Sequence, residues 1–142
     1  MTLIEQKIQQ FIAEAGDKSK YTPEQQKIYA AFTKTSGSKI YFRVTDKFGY
    51  TYKLYMPTGA YLNKIMTKHY QSHIGTITAF EILNLLDIIR TGDKYKDYDT
   101  GHWVYHKKYH LKGLTYYAIL KISKDGINSH LLSLFTNKGY GK

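Results

Sequence analysis

The chain has 142 residues, enough for one domain with its own hydrophobic core, and it contains no cysteine. The missing cysteines exclude disulfides, thiolate nucleophiles and thiolate metal sites, and no apolar run is long enough to span a membrane. Lys and Arg number 21 against 11 Asp and Glu, and this net charge of +10 favours a polyanionic partner. Because 15 tyrosines are interleaved with the lysines, and exposed rings stack on bases, RNA is the first candidate.

Two helices are predicted at the start of the chain. Thr2 and Glu5 have the spacing of a capping box, and apolar residues then recur at helical spacing over residues 3 to 15. Pro23 suits the first position of a second helix, because its missing N–H costs nothing there. This helix is expected to end near Thr33.

After the second helix, the spacing of apolar residues changes to every second residue and later returns to a helical spacing. Apolar and polar residues alternate over residues 40–44 and 50–56, which predicts a β-hairpin. A third helix is predicted to run to about His73. A fourth, capped by Thr78 with Glu81, is predicted to run to residue 91, just before a glycine.

The end of the chain is read as a loop followed by strands. Residues 93 to 101 are polar and rich in turn formers, so we expect a loop, and Asp125-Gly126 predicts a tight turn between the last two strands. Three strands are expected at residues 103–111, 114–123 and 129–136. The sequence therefore predicts a single α+β domain. It has N-terminal helices and a β-hairpin, two further helices, and then a three-stranded antiparallel meander forming one sheet with helices on one face.

Histidines are the side chains best suited to proton transfer at neutral pH, and they fall into two local groups. His69 and His73 share a face of the predicted third helix. His102 and His106 lie on the first strand of the meander, where even-numbered residues share one face. A core role for His69 and a solvated strand face remain open as alternatives.

Basic and aromatic residues of the same region could hold the phosphate and the bases of RNA. The expected RNA-contacting residues are Lys107, Lys108, Lys112, Tyr105 and Tyr109. Cations beside a base and an acid are what metal-free RNA cleavage needs.

Metal chemistry has weaker support in the sequence. His69 and His73 also have the spacing of metal ligands, and the acidic stretch Asp93, Asp97 and Asp99 could hold a divalent ion. No third histidine ligand is implied by spacing, and a solvated acidic loop is the simpler interpretation. We therefore expect no metal and no cofactor.

Residues 60 to 138 resemble the barnase, EndoU, colicin and RelE-like group of ribonuclease toxins, particularly its phage-associated and polymorphic-toxin branches. The likeness is carried by the histidine segment Ile65 to Ile74, the capped helix Thr78 to Leu83 with Asp87 to Gly92, Gly113 to Leu120 in the meander, and Leu134 to Lys138 at the last strand. Residues 1–58 form a helical and hairpin part outside the likeness, and 59–142 form the ribonuclease-like part of the single domain 1–142.

The resemblance implies a toxin that cuts RNA, often transfer RNA, without a metal and is neutralised by an acidic immunity protein or antitoxin. It places His69 or His73 as acid or base and Thr136 as a hydroxyl that contacts phosphate. His102 or His106 would complete the acid–base pair. Such a domain would act in the cytoplasm, for example that of a target cell after delivery as the C-terminal part of an exported protein. The alternative is a non-catalytic basic module, such as a phage-encoded inhibitor, that binds RNA or an acidic protein.

Overall fold

A computed structural model describes residues 1–33, 39–123 and 128–139. The α-helices in these ranges are α1 (Leu3–Ala15), α2 (Pro23–Thr33), α3 (Gly59–Lys64), α4 (Ala79–Leu83) and α5 (Leu85–Thr91), with a 3-10 turn at Lys18–Lys20 and a π-helical turn at Ile65–His69. The strands are β1 (Tyr41–Thr45), β2 (Thr51–Tyr55), β3 (Asp93–Lys96), β4 (Trp103–Leu111), β5 (Leu114–Ile122) and β6 (Asn128–Thr136).

The first two helices are confirmed. The Thr2 hydroxyl accepts from the Glu5 amide at 3.2 Å, and the Glu5 carboxylate accepts from the Thr2 amide at 2.9 Å, so the capping box is present. Phe11 of α1 packs on Phe32 of α2, with ring centroids 6.4 Å apart. Both rings are fully buried and tie the N-terminal helices to the core.

The third and fourth predicted helices are each shorter or more broken than expected. The third ends in the π-helical turn at His69 instead of reaching His73, because the Tyr70 amide bonds to the Ile65 carbonyl and the chain then becomes extended. The fourth is divided into α4 and α5 at Asn84, whose side chain donates to the Phe80 carbonyl at 2.8 Å. An asparagine that bonds to the backbone in this way competes with the helical hydrogen bonds.

The prediction that a three-stranded antiparallel meander forms the sheet is wrong, because the sheet has six strands in the order β1-β2-β6-β5-β4-β3. The predicted hairpin β1–β2 joins the meander through β2, which pairs with β6 in parallel. Residues 93 to 96, expected in a loop, form β3 and pair with β4 in antiparallel fashion. The result is a mixed, curled sheet within an α+β fold. The predicted turn at Asp125-Gly126 lies outside the described residues.

One face of the sheet and the helices enclose the core. The buried strand residues of that face include Val44, Leu54, Tyr105, Tyr116, Ala118, Leu120 and Leu134. Ile82, Leu85, Ile88 and Ile89 of α4 and α5 pack against them and are less than 1% exposed. In the described ranges, no helix has the length and apolar character needed to cross a membrane.

The opposite face of the sheet, called the open face below, carries basic and aromatic side chains. Its exposed or half-buried members include Tyr41, Arg43, Lys53, Tyr55, Asp93, Tyr95, His106, Lys108, Tyr117, Ile119, Lys121, His130 and Phe135. Val104 lies on the same face and is buried. The alternation along each strand therefore separates an apolar face from a basic, aromatic one.

Candidate nucleic-acid interface

His106 lies near the centre of the strands β3, β4 and β5 on the open face. Its ring is flanked by two tyrosines, with centroid distances of 5.6 Å to Tyr95 and 5.7 Å to Tyr117. These three side chains, with Ile119 and Asn137, line a shallow cavity of about 240 Å³. The cavity offers aromatic surface and one imidazole to a planar ligand such as a nucleobase.

Asp93 lies opposite His106 in the register between β3 and β4. The pKa of the Asp93 carboxyl is lowered, first by a hydrogen bond from Lys47, then by the Lys47 charge, with a smaller contribution from His106. Lys47 Nζ is 2.6 Å from the carboxylate. An acid and an imidazole are thus held side by side, since opposite residues on paired strands have Cβ atoms about 5 Å apart.

Two lysines lie on the cross-strand rows on either side of His106. Lys108 lies on β4 opposite Tyr117 and is exposed. Lys121 lies next to Phe135, with Nζ 5.8 Å from the ring centroid and 3.9 Å from Asp97. Lys108 forms no ion pair with any described residue, so its charge remains available to an anion.

His69 is buried at the edge of the same face. Its ring stacks on Phe135 at 5.3 Å, and its Nδ1 has no hydrogen-bond partner among the described residues. Burial lowers its pKa to about 4, with help from the charges of Lys68 and Lys64, so the ring is neutral at pH 7. Phe135 and Ile119 separate His69 from His106 along one row of the sheet.

The other two candidate histidines lie away from this cavity. His73 is exposed in the turn after the π-helical segment, beyond the end of the helix that was expected to pair it with His69. His102 precedes β4, where its amide donates to Thr100 and its carbonyl accepts from Asp97. The structure brings neither of them into ring contact with His106.

Three of the expected RNA-contacting residues of β4 point toward the helices. Tyr105 is fully buried, and its hydroxyl donates to Asp46 at 2.6 Å. Tyr109 donates to Asp87 at 2.9 Å, and Lys107 pairs with the same carboxylate at 2.5 Å. Their odd positions place them on the core side, where Lys107 and Tyr109 anchor α5 to the sheet and Tyr105 bonds to the β1–β2 turn.

The last two candidates, Thr136 and Lys112, differ in their exposure to solvent. Thr136 is fully buried, and its hydroxyl donates to the Thr76 carbonyl at 2.7 Å. Lys112 is exposed in the turn between β4 and β5 and has a positive φ of 50°. Thr136 therefore fastens the segment before α4 to β6, and only Lys112 of this pair faces the solvent.

Metal ligation has no support within the described ranges, where no three His, Asp or Glu side chains gather as a ligand set. Asp93, Tyr95 and Tyr117 belong to the candidate interface but were not expected there from the sequence. The first two were assigned to a loop, although the polar and aromatic alternation of Asp93-Lys94-Tyr95-Lys96 is compatible with a half-exposed edge strand.

Comparison of the chain with protein-family models, with curated proteins and with solved structures finds no significant match.

Proposed function

We propose that this protein is a metal-independent ribonuclease that holds single-stranded RNA on the open face and cleaves it beside His106. The observation that supports this most is the position of His106, between Tyr95 and Tyr117 and opposite Asp93. Aromatic rings can stack on the bases on either side of a phosphate, while the carboxylate takes a proton from the 2′-hydroxyl and the histidine gives one to the departing 5′-oxygen.

The proposed reaction needs one base and one acid. Asp93 takes the proton of the 2′-hydroxyl, and the 2′-oxygen attacks the phosphorus. The imidazolium of His106 then gives its proton to the departing 5′-oxygen. The products are a 2′,3′-cyclic phosphate end and a 5′-hydroxyl end, so protons and charges balance without a metal.

Binding of the phosphates is assigned to the cations of the same face. Lys108 lies one cross-strand row from His106, and Lys121 lies one row away on the other side. Placing positive charge where negative charge develops on the phosphate stabilises the transition state. The resemblance of residues 60 to 138 to metal-free ribonuclease toxins supports the same reaction class.

A cleavage assay on a single-stranded oligoribonucleotide in EDTA tests this proposal. We expect cleavage by the wild-type protein and a loss of about 100-fold or more in rate for His106→Ala, because general acid catalysis contributes at least that factor. His73→Ala is the matched control, since it removes an exposed histidine that lies off the open face. Wild-type rates in His106→Ala, or activity only with added metal, would contradict the assignment.

A second candidate is RNA binding without cleavage. It is favoured by the ion pair of Asp93 with Lys47, since a carboxylate with a lowered pKa is a weak base. Intact oligonucleotide, together with an affinity that falls steeply with salt, would support this function. If Lys47→Gln cleaves the oligonucleotide and wild type does not, the result would instead favour the ribonuclease function.

An acidic immunity protein or antitoxin is the proposed protein partner, since the basic open face is complementary to a negatively charged surface. We place the action of the protein in the cytoplasm, where RNA is available, including that of a target cell. Both proposals depend on the cleavage assay above.

A further inference from the structure

A second aromatic row crosses the open face at the hairpin end of the sheet. Tyr41 pairs with Tyr55 across β1 and β2, and Tyr55 pairs with His130 across β2 and β6. The Tyr55 and His130 rings are stacked at 5.2 Å with planes 21° apart, and the Tyr41 ring lies 5.4 Å from Tyr55. The row therefore presents three rings in succession.

Positive charge accompanies these rings. Lys53 Nζ lies 4.3 Å from the Tyr41 ring centroid and 5.5 Å from that of Tyr55. Arg43 lies opposite Lys53 on β1, and no acidic residue occurs in β1, β2 or β6. Neither cation has an ion-pair partner among the described residues, so both charges are available to an anionic ligand.

A cavity of about 280 Å³ adjoins the row and is lined by Lys39, Tyr55, Met56, Thr58, Asn128 and His130. It combines a ring for stacking with amide, hydroxyl and ammonium groups that can hydrogen-bond to a base edge or a phosphate. Tyr41 is 43% exposed, so this aromatic surface is accessible in the described structure.

We infer that Tyr41, Tyr55 and His130, with Lys53, form a second nucleobase-binding site for the single-stranded RNA that occupies the His106 cavity. This inference rests on the proposed function. A base stacks on the Tyr55 and His130 rings, and Lys53 and Arg43 hold the adjoining phosphates. Stacking on aromatic rings inside a basic groove binds single strands with little regard to sequence.

The spacing of the two sites determines which lengths of RNA can contact both. His130 and Phe135 are five positions apart on β6, which is about 17 Å at 3.3 Å per residue. Phe135 shares the row of His106, two strands further on. A short oligonucleotide at the His106 cavity cannot reach the second row, whereas one of about eight nucleotides, within the range of single-strand binding domains, can.

The test is the affinity of fluorescent oligodeoxyuridylates, which lack the 2′-hydroxyl and cannot be cleaved. For wild type we expect an eight-nucleotide ligand to bind more tightly than a two-nucleotide one. Tyr55→Leu should weaken the longer ligand about tenfold and leave the shorter one unchanged, because the stacking of one base is lost. Tyr55→Phe keeps the ring and should retain wild-type affinity, and Tyr98→Ala is the control for an exposed tyrosine in neither row.

The outcomes separate this inference from the proposed function. Equal affinity of Tyr55→Leu and wild type for the longer ligand would overturn the second site, even if His106-dependent cleavage is found. Selective weakening of the longer ligand without any cleavage of RNA would support the second site and contradict the ribonuclease. Failure of wild type to bind either ligand, with tight binding of an acidic polypeptide, would overturn both.

Discussion

Tyr105 and His106 are neighbours in the sequence but lie on opposite faces of β4. Tyr105 belongs to a buried polar group with Asp46, Lys94 and Tyr52, in which Lys94 Nζ is 3.0 Å from the Asp46 carboxylate. Burial alone would raise the Asp46 pKa. Hydrogen bonds from Tyr105, the Tyr50 amide and Lys94, with the Lys94 charge, lower it instead. This group joins the β1–β2 turn to β3 and β4.

Removing one member of this buried pair should be costly. Asp46→Ala leaves the Lys94 ammonium buried without its partner, and we expect a loss of about 3–5 kcal/mol in the free energy of unfolding. Glu24→Gln is the matched control, because it breaks the more exposed Arg90–Glu24 pair and should cost less than about 1 kcal/mol. Urea unfolding measures both variants, and similar losses in the two would contradict the buried role of Asp46.

His69 makes the fold sensitive to acid. Its pKa falls from an ordinary 6.5 to about 4 in the folded protein, because burial disfavours the charged ring. Below pH 6.5 the unfolded chain therefore gains a proton that the folded protein does not. The stabilisation is complete above pH 6.5 and is lost as the pH falls toward 4.

His69→Phe keeps an aromatic ring against Phe135 and removes the titration. Between pH 7.5 and pH 4.5, wild type should lose about 2 kcal/mol more stability than this variant. Denaturant unfolding at several pH values gives the difference, and NMR titration of the imidazole gives the pKa itself. An imidazole pKa near 6.5 in the folded protein would disprove the burial of this ring.

At the scale of elements, Gly92 sets the approach of α5 to β4. A Cβ at this position would collide with the Ile88 carbonyl oxygen and lie 2.7 Å from the His106 carbonyl oxygen. Only glycine allows the two backbones to come this close, and β3 starts at the next residue. The glycine thereby places Asp93 opposite His106.

Gly92→Ala should destabilise the protein by about 2 kcal/mol, because backbone must move to admit the methyl group. The destabilisation should be largest in β3, which begins at the next residue. Relative to wild type, we expect the substitution to speed amide hydrogen exchange more in β3 and the adjoining part of β4 than in the β5–β6 pair. Thermal unfolding and exchange measured by NMR check this, and wild-type stability would show that the backbones are further apart.

Local patterns in the sequence predicted most elements but not how they assemble. The capping box at Thr2 and the alternation of β4 and β5 depend on neighbouring residues, and these predictions are confirmed. The parallel pairing of β2 with β6 joins segments more than 70 residues apart, and no local signal specifies it. The Asp46–Lys94 ion pair joins residues 48 positions apart, and no local signal specifies it either.

The candidate site, too, was only partly predictable from the sequence. The period of two correctly separated His106 and Lys108 from Tyr105 and Lys107 on β4. Which of the two faces meets the helices could not be derived, because the Tyr105 face carries Lys107 and the His106 face carries Val104, so neither is clearly polar or apolar. The structure places Tyr105 in the core and adds Asp93 and Tyr95 from β3 to the neighbourhood of His106.

For the whole molecule, the net charge is +10, and the two faces of the sheet differ in composition. The core face is closed by α4 and α5, and the open face carries two aromatic rows with lysines between and beside them. A single strand of RNA laid from the Tyr55 row to the His106 cavity would contact both rows. The central claim is therefore that RNA binds to this face of the sheet.

The most direct test is an NMR titration of the protein with a non-cleavable oligodeoxyuridylate of eight nucleotides. We expect chemical-shift changes in residues of the open face, including Tyr55, His106, Tyr117 and His130, with little change in α1 and α2. Changes confined to the helices, or no change at ligand concentrations that saturate a micromolar site, would contradict this expectation.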